Sequence, residues 1–323
     1  LTPAHSRWRI SGKWVKSVPF CLYVPYNFPH PPYTVEEPYF SMHDRSEIKL
    51  LPPELDDKPE FMKVMHERYG LNKLNEEDFK EIRATYHGMI SRLDAQIGEI
   101  IEKLKEVGKY ESSAIFIFAD HGDYTGDYGL TEKWPTGMQD CLLKVPLIVK
   151  IPGITPVKKN YDQLTQTIDI FSTIVDIAKI ETPYTSFSKS LIPTITGEVD
   201  SHRDLVFAEG GYDPREPQCF EDPMGPPENN LTGVYYEKTH IPMDRPELVG
   251  RTVMIRSKEW KLVVRNTEGQ KEELYDLKND PGELKNLIDD PNHQDVITGL
   301  KEQLARWYLD TSDNPSWEHQ RDI

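Results

Sequence analysis

Two side chains able to bind a cation stand side by side at the end of a predicted strand. The apolar run from Ala114 to Ala119 has the length and the β-branched and aromatic content of a buried strand, and Asp120-His121-Gly122 follows it directly. A carboxylate and an imidazole at such a position can ligate a divalent cation, and the oxygen ligand favours Ca²⁺ or Mg²⁺. Taken alone, however, an Asp-His-Gly sequence is more typical of a strand that ends in a solvated turn.

A glycine-rich loop leads from this strand end to a lysine. Gly122, Gly126 and Gly129 precede Lys133, which lies thirteen positions after Asp120. Such a lysine could offset the charge of an anionic substrate, or it could be an ordinary surface charge. A second apolar run, Val145–Lys150, predicts another short strand, which ends at Pro152-Gly153.

A further candidate histidine lies upstream in a stiff segment. His30 is surrounded by three prolines in Pro29-His30-Pro31-Pro32, and prolines restrict the backbone to extended conformations. A loop of this kind can hold an imidazole in place without support from a helix or a sheet. The apolar run before it, Pro19–Pro25, predicts a buried strand. On its own, a histidine in a proline-rich turn is more typical of a surface residue.

Taken together, these motifs resemble the type I sulfatases of the alkaline phosphatase superfamily. That family combines a strand, Asp-Asn or Asp-His with glycine, a glycine loop, a lysine and the pattern VPLIV…PG, as residues 115–153 do here. Residues 19–33 are similar to the family pattern PFFLYL…PHxPY. Residues 190–198 and 273–277 are similar to its patterns SLLPLLTGE and ELYDL.

The resemblance implies roles for four residues. We expect Asp120 and His121 to be ligands of a divalent cation, Ca²⁺ in preference to Mg²⁺, since a carboxylate ligand suits a hard cation. We expect Lys133 and His30 to bind the sulfate group, with His30 also able to protonate the leaving alcohol, since imidazole titrates near neutral pH. The implied reaction is metal-assisted hydrolysis of a sulfate ester, which is the implied substrate.

The nucleophile that the family uses is absent from this chain. In type I sulfatases a formylglycine, made from the first residue of Cys/Ser-x-Pro-x-Arg, attacks the sulfur. None of the three cysteines, Cys21, Cys141 and Cys219, begins that motif, and no serine does. The family's paired N-terminal aspartates also have no counterpart. We therefore expect formylglycine only in the complete protein, expect this chain alone to be inactive, and consider an N-terminal fragment carrying the nucleophile as a possible partner.

Two alternatives to a sulfatase stay open at this point. The chain could belong to a phosphate or phosphonate ester hydrolase of the same superfamily, because sulfate and phosphate are both tetrahedral oxyanions. It could also be a non-catalytic remnant that only binds. The PHPPY loop, the single Asp-His pair and the ELYDL sequence favour the sulfatase.

The elements that must position these residues can be predicted from periodicity. Apolar residues at three-and-four spacing predict a helix over Asn75–Val107, directly before the Asp-His strand. Residues 161–165 predict a strand, Ile168–Ile180 a helix and residues 190–198 a loop. Residues 39–72 read as an irregular insertion at the mouth of the cleft, and the loop 122–136 is expected to be mobile.

The fold class predicted is α/β, with an alkaline-phosphatase-like mixed sheet flanked by helices and then a small α+β domain with an antiparallel sheet. We place the C-terminal part of a sulfatase catalytic domain at residues 1–199 and the small domain at residues 200–323. Four short strands are predicted in the second part, at 205–209, 253–257, 260–265 and 273–277, followed by a helix from Gln294 to Leu309.

Charge and composition exclude some functions. The formal net charge is −16, which disfavours nucleic acid as a general partner. No apolar run approaches the roughly 20 residues of a membrane span. An acidic chain that acts on an anionic ester needs a local excess of positive charge, which a cation, Lys133 and His30 would supply. The sequence does not indicate a cellular compartment.

Overall fold

The structure, a computed structural model, describes residues 20–158, 160–182, 185–213, 215 and 236–312. The helices in these ranges are α1 Glu60–Arg68, α2 Glu76–Glu106, α3 Asp140–Leu143, α4 Asp169–Ala178, α5 Ile192–Thr196, α6 Tyr236–Asp244 and α7 Gln294–Thr311. The strands are β1 Ile115–Phe118, β2 Leu147–Lys150, β3 Val206–Gly210, β4 Thr252–Arg256, β5 Trp260–Arg265 and β6 Glu273–Asp276. The predicted α/β class is confirmed.

The longest helix, α2, begins and ends where the sequence predicts. The Asn75 side chain accepts hydrogen bonds from the N–H groups of Glu77 and Asp78, and the Asp78 carboxylate accepts one from the Asn75 N–H. This reciprocal capping satisfies N–H groups that have no partner within the helix, and the acidic first turn suits the helix dipole. Val107 ends the helix and Gly108 follows with a φ of 67°.

The predicted strand after α2 is present, but it is less buried than its composition suggests. β1 pairs with β2 in antiparallel orientation, with Ile115 opposite Lys150 and Phe118 opposite Leu147. In the described part of the chain this sheet has two strands. Phe118 and Ile148 are 42% and 61% exposed. The expectation of a fully buried strand is therefore wrong, because no described element covers these side chains.

The apolar run before His30 is also not a buried strand in its described residues, 20–25. Its large side chains are exposed, namely Phe20, Leu22, Tyr23 and Val24. A strand forms where a neighbouring segment pairs with its backbone, and no described segment pairs with this one. The prediction for Pro19–Pro25 is wrong for this reason, and Pro19 itself lies outside the described residues.

Two other predictions between the sheets need correction. Residues 161–165 form no strand; their side chains instead bond to loops, as Tyr161 donates to the carbonyl of Ile195 at 3.0 Å and Gln163 donates to that of Asp200 at 3.1 Å. The loop predicted at 190–198 contains the short helix α5, which has a proline in its first turn and Gly197 at its end. The helix predicted at Ile168–Ile180 is confirmed as α4.

Residues 39–72 are not a peripheral insertion. They contain α1, in which Phe61, Met62 and Met65 are almost completely buried. Side chains at such spacing lie on one face of a helix, a pattern too short to stand out from the polar residues around it. This face packs in the main hydrophobic core, where Phe61 stacks on Trp134 with ring centroids 6.2 Å apart.

The glycine loop 122–136 is part of the same core. Tyr124, Tyr128 and Leu130 are at most 1% exposed. From α2, Arg83 donates to the carbonyl of Thr125 at 2.8 Å and forms an ion pair with Asp127 at 2.8 Å. Burial and hydrogen bonding on this scale argue against the expected mobility of the loop.

The C-terminal part forms a four-stranded antiparallel sheet in the order β3-β4-β5-β6. All four strands and the final helix lie where the sequence predicts them. α7 places Ile297, Leu300 and Leu304 on the face of the sheet in one apolar cluster. The boundary near residue 200 stays a prediction.

A buried polar network joins this sheet to the segment before β2. Lys261 on β5 is fully buried and forms ion pairs with Asp140 and Glu283, each at 2.5 Å. Gln139 donates to the buried carboxylate of Glu273 at 3.0 Å. Burial raises the pKa of Glu283, and the charge of Lys261 opposes that shift. The two halves of the described chain are therefore held together by charges as well as by apolar contacts.

A second buried carboxylate holds the segment between the sheets. Asp169, at the first position of α4, is fully buried and accepts hydrogen bonds from the side chains of His202 and Arg203 and from the backbone N–H of Lys189. Burial alone would raise its pKa, but the hydrogen bonds from Arg203 and His202 hold the pKa well below the usual range. The ionised carboxylate therefore stabilises the fold.

We expect Asp169→Asn to lower the free energy of unfolding by about 3–5 kcal/mol at pH 7, because it leaves a buried cation without its partner. The contribution of Asp169 is present above the unfolded-state pKa of about 3.9 and is lost as the pH falls toward its lower folded-state pKa. Urea unfolding should therefore show the difference between the two proteins narrowing between about pH 5 and pH 2.

Asp176→Asn is the matched control, since Asp176 is exposed on the same helix. It should change stability by less than about 0.5 kcal/mol. An Asp169→Asn protein as stable as this control would contradict the assignment.

Candidate active site

His30 and Lys133 are in direct contact. The Lys133 ammonium lies 2.8 Å from Nε2 of His30, and Nδ1 of His30 lies 2.8 Å from the carbonyl oxygen of Pro31. A carbonyl can only accept, so Nδ1 carries a proton, and Nε2 accepts from the lysine. The two predicted anion-binding residues are thus joined by a hydrogen bond, although they are 103 positions apart in the chain.

The proline-rich loop is positioned by a tyrosine and an aspartate that sequence analysis did not identify. The Tyr33 hydroxyl lies 2.9 Å from both carboxylate oxygens of Asp123. Oδ1 of Asp123 also accepts from the N–H groups of Thr125 at 2.8 Å and Glu132 at 3.0 Å. Burial raises the pKa of Asp123, and the hydrogen bonds from Thr125 and Tyr33 oppose the shift. Tyr33 ends the PHPPY sequence and Asp123 directly follows Asp120-His121-Gly122. Their position in these two motifs is the sequence signal that could have identified them.

Asp120 and His121 stand together at the end of β1, as predicted. Oδ1 of Asp120 accepts from the N–H of His121 at 2.9 Å, and Oδ2 lies 3.5 Å from Nε2 of the imidazole. Nδ1 of His121 lies 2.8 Å from the carbonyl oxygen of Gly122, so Nδ1 carries a proton and Nε2 faces Asp120.

This spacing fits two ligands of one hard cation. Ligands that lie roughly 2.3–2.6 Å from Ca²⁺ at right angles to each other are about 3.3–3.7 Å apart. The donors face outward, because the Asp120 side chain is 86% exposed. Within the described ranges, no group of three His, Cys, Asp or Glu side chains could hold a metal. The pair therefore fits a calcium ion but supplies only part of a coordination shell.

A close backbone approach explains the glycine after His121. The Gly122 N–H donates to the carbonyl of Leu142 at 2.7 Å, and a Cβ at position 122 would lie 2.0 Å from the carbonyl oxygen of Cys141. Only glycine allows this contact. The turn that carries Asp120 and His121 is thus anchored to α3.

Helix α2 forms the back of the site. The Tyr86 ring meets that of Tyr33 edge to face, with ring centroids 6.2 Å apart. Burial raises the pKa of Tyr86, and the negative charges of Asp123 and Asp120 raise it further. Tyr86 on α2 is therefore close to both carboxylates.

Neither described cysteine has the properties of a nucleophile in this site. Cys21 is exposed in the run before the proline-rich loop. Burial raises the pKa of Cys141 well above the usual range, which keeps its thiol protonated. Cys219 lies outside the described residues. Both described cysteines are free thiols.

Comparison with known proteins shows the family of this chain. The sulfatase family model matches residues 13–180, just over half of the chain. This sequence belongs to the sulfatase family. A second model, that of the N-sulphoglucosamine sulphohydrolase C-terminal region, matches residues 226–309 of this sulfatase family member.

Curated and solved relatives extend the match to most of the chain. It is 25% identical to the multifunctional alkaline phosphatase superfamily protein PehA of Trinickia caryophylli, with 91% of this chain and 56% of the relative covered. The choline-sulfatase of Rhizobium meliloti is 26% identical over 91% of this chain and 52% of its own length. The structure of the phosphonate monoester hydrolase of Agrobacterium radiobacter aligns with a TM-score of 0.69, 25% identity, and coverage of 88% and 55%.

These likenesses confirm the alkaline-phosphatase-like fold of this sulfatase family member. The chain spans about half the length of the curated relatives it matches. In the part of the chain that the structure describes, no helix is long and apolar enough to cross a membrane.

We expect Tyr33→Phe to lower the free energy of unfolding by about 1–3 kcal/mol, because Asp123 loses its hydroxyl donor inside the protein. Tyr23→Phe is the matched control, since Tyr23 is 77% exposed and close by in sequence. Chemical denaturation of both variants measures the effect. Equal stability of the two would mean that the Tyr33–Asp123 contact does not hold the loop.

Proposed function

We propose that the complete protein hydrolyses a sulfate ester with the help of a divalent cation, Ca²⁺ in preference to Mg²⁺. The observation that supports this best is the contact between Lys133 and His30 at 2.8 Å. It brings an ammonium and an imidazole together in the loop system that also carries Asp120 and His121. Family membership and the choline-sulfatase relative support the same substrate class.

Each of the four candidate site residues has a definite role in the proposal. Lys133 offsets charge on the sulfate oxygens, since an ammonium stabilises negative charge that develops during the reaction. The hydrogen bond between Lys133 and His30 holds one proton between Nζ and Nε2, where it can pass to the leaving alcohol. Asp120 and His121 hold the cation, which would neutralise sulfate oxygens and activate the nucleophile when bound.

The nucleophile in this proposal is a formylglycine that the described chain does not supply. A cation held by Asp120 and His121 also needs further ligands to complete its coordination shell. We propose an N-terminal polypeptide segment as their source. The exposed apolar side chains of residues 20–24, and of Phe118 and Ile148 on the first sheet, support a segment that packs there.

A second candidate reaction has its own support. The solved phosphonate monoester hydrolase that aligns at a TM-score of 0.69 acts on a tetrahedral phosphorus ester, and PehA is described as multifunctional. The Lys133–His30 pair would serve either oxyanion. We keep the sulfate ester as the proposal because the PHPPY loop and the single Asp-His pair are those of the sulfatases.

The reaction can be tested on the complete protein with paired aryl sulfate and aryl phosphonate esters. We expect kcat/KM to be higher for the sulfate, and Lys133→Ala to lower it by about 10²- to 10³-fold, as expected for loss of a charge aimed at the developing oxyanion. This 323-residue chain alone should show no turnover.

Lys109→Ala, which changes a lysine remote from the site, controls for nonspecific effects. A higher kcat/KM for the phosphonate would select the second candidate. No turnover of either ester by the complete protein, with intact binding, would identify a non-catalytic remnant. Turnover by this chain alone that is lost in Lys133→Ala would disprove its predicted inactivity.

The metal assignment has a separate test that does not depend on activity. We expect Ca²⁺ to bind the complete protein and Asp120→Ala to weaken that binding by at least about tenfold, because a first carboxylate ligand is lost. In this chain alone the affinity should be weak. Calorimetric titration measures both, with Asp94→Ala as a control on α2; unchanged affinity in Asp120→Ala would mean that Asp120 only caps a turn.

A further inference from the structure

Both limbs of the loop that carries His30 contact one side chain of helix α2. Before the histidine, the ring of Phe28 faces the guanidinium of Arg92, whose Cζ lies 4.9 Å from the ring centroid. After the histidine, the carboxylate of Glu36 accepts from Nε of the same arginine at 2.6 Å. Arg92 therefore joins two points of the chain that lie on either side of His30.

The limb after His30 packs closely on α2 one turn away from Arg92. Gly88 and Arg92 are four positions apart in this helix, which places them on the same face. A Cβ at position 88 would lie 2.4 Å from the carbonyl oxygen of Tyr39 and 3.1 Å from Cγ1 of Val35. Glycine thus allows the backbone of the limb to approach the helix, within reach of the Arg92 side chain.

The position of the His30 ring depends on how its loop is held. The residue is exposed, and its N–H donates to the carbonyl of Asn27 at 2.7 Å, which closes a turn just before the ring. The three prolines around it restrict the backbone, so this segment moves as one stiff unit. A displacement where the loop meets α2 would therefore shift the imidazole relative to Lys133.

We propose that Arg92 is a positioning residue of the candidate site, which holds the proline-rich loop so that the imidazole of His30 meets Lys133. It acts through Phe28 and Glu36, on the flanks of the loop, and not on the sulfate group itself. The inference rests on the proposed function, since it assigns a further residue to the same site.

The chemistry of arginine suits these two contacts. A planar guanidinium can face an aromatic ring and donate from its edge to a carboxylate at the same time. The Glu36 side chain is 58% exposed, and ion pairs as exposed as this one contribute little to stability. The main effect of Arg92 is therefore on the geometry of the loop rather than on the stability of the fold.

Another arginine makes the same two kinds of contact and provides a matched control. The Cζ of Arg45 lies 4.7 Å from the ring centroid of Phe40, and Nε pairs with Glu81 on α2 at 2.9 Å. Its side chain is 25% exposed, against 27% for Arg92. It also donates to two backbone carbonyls, so its loss should cost at least as much stability. Its contacts do not flank His30.

The first test is NMR of the ring nitrogens of His30 in this chain, at a pH where the imidazole is neutral and with the signals assigned by their loss in His30→Gln. In the native chain one tautomer should dominate, with the proton on Nδ1 and Nε2 accepting from Lys133. Arg92→Gln should give a mixture of both tautomers. Arg92→Lys keeps the charge but loses the planar group, so its change should be smaller.

Arg45→Gln should leave the His30 signals unchanged, although urea unfolding should show it to be no more stable than Arg92→Gln. A purely structural role for Arg92 predicts a different result. Both variants would then be less stable than the native chain, and His30 would keep its native tautomer in each of them.

The second test is turnover of an aryl sulfate by the complete protein. Arg92→Gln should lower kcat/KM by about 10- to 100-fold, as expected when a proton-transfer group is misplaced, and Arg45→Gln by less than about twofold. If Arg92 acts through His30, then Arg92→Gln should cause no further loss in a protein that already carries His30→Gln.

The outcomes separate this inference from the proposed function. Native His30 signals in Arg92→Gln would overturn the inference and leave the proposed function standing. A full further loss of turnover in the His30→Gln background would also overturn it, because Arg92 would then act elsewhere. If the His30 signals change but neither Arg92→Gln nor His30→Gln lowers turnover, the positioning is supported and the role of His30 in the proposed function fails.

Discussion

The buried carboxylate of Asp123 is the contact on which the candidate site depends. Asp123 follows Asp120 by three positions and His121 by two. Its carboxylate accepts hydrogen bonds from the Tyr33 hydroxyl of the proline-rich loop and from the backbone N–H of Glu132, the residue before Lys133. Burial disfavours the ionised form of this group, and the donors around it compensate for that cost. One side chain thus connects three segments that would otherwise be independent loops.

The C-terminal motif has a different purpose from the motifs at the site. In the sequence, residues 273–277 resemble a family signature, but in the structure Glu273 and Tyr275 of this motif are fully buried. Tyr275 donates to Glu273 at 2.6 Å, while Glu283 pairs with Lys261 on the adjacent strand. Removal of one partner of such a buried ion pair would be costly, because the remaining unpaired charge destabilises a fold by about 3–5 kcal/mol. These contacts therefore give the residues around the motif a role in stabilising the fold.

Much of the fold could be predicted from the sequence because the signals were local. The capping residues and apolar periodicity of α2 and the short apolar strands of the second sheet lie within single windows of sequence. The resemblance assigned His30 and Lys133 to one sulfate-binding site, but it did not predict their direct contact. The pairings of Asp123 with Tyr33 and of Glu132 with Lys238 could not be predicted, since they join residues 90 and 106 positions apart. Residues 20–25 were predicted as a strand and do not form one. Their composition favours a strand, but a strand also needs a neighbouring segment that pairs with its backbone.

The two halves of the candidate site differ in how completely this chain builds them. The proposed anion-binding half is formed by Lys133 and His30, which contact each other within the described residues. The proposed cation-binding half consists of Asp120 and His121, on a turn whose backbone is anchored and from which the Asp120 side chain faces outward. A hard cation needs about six to eight oxygen ligands, so two donors cannot hold it tightly. The proposed oxyanion site is therefore formed by residues of this chain, whereas the proposed cation site needs ligands beyond Asp120 and His121.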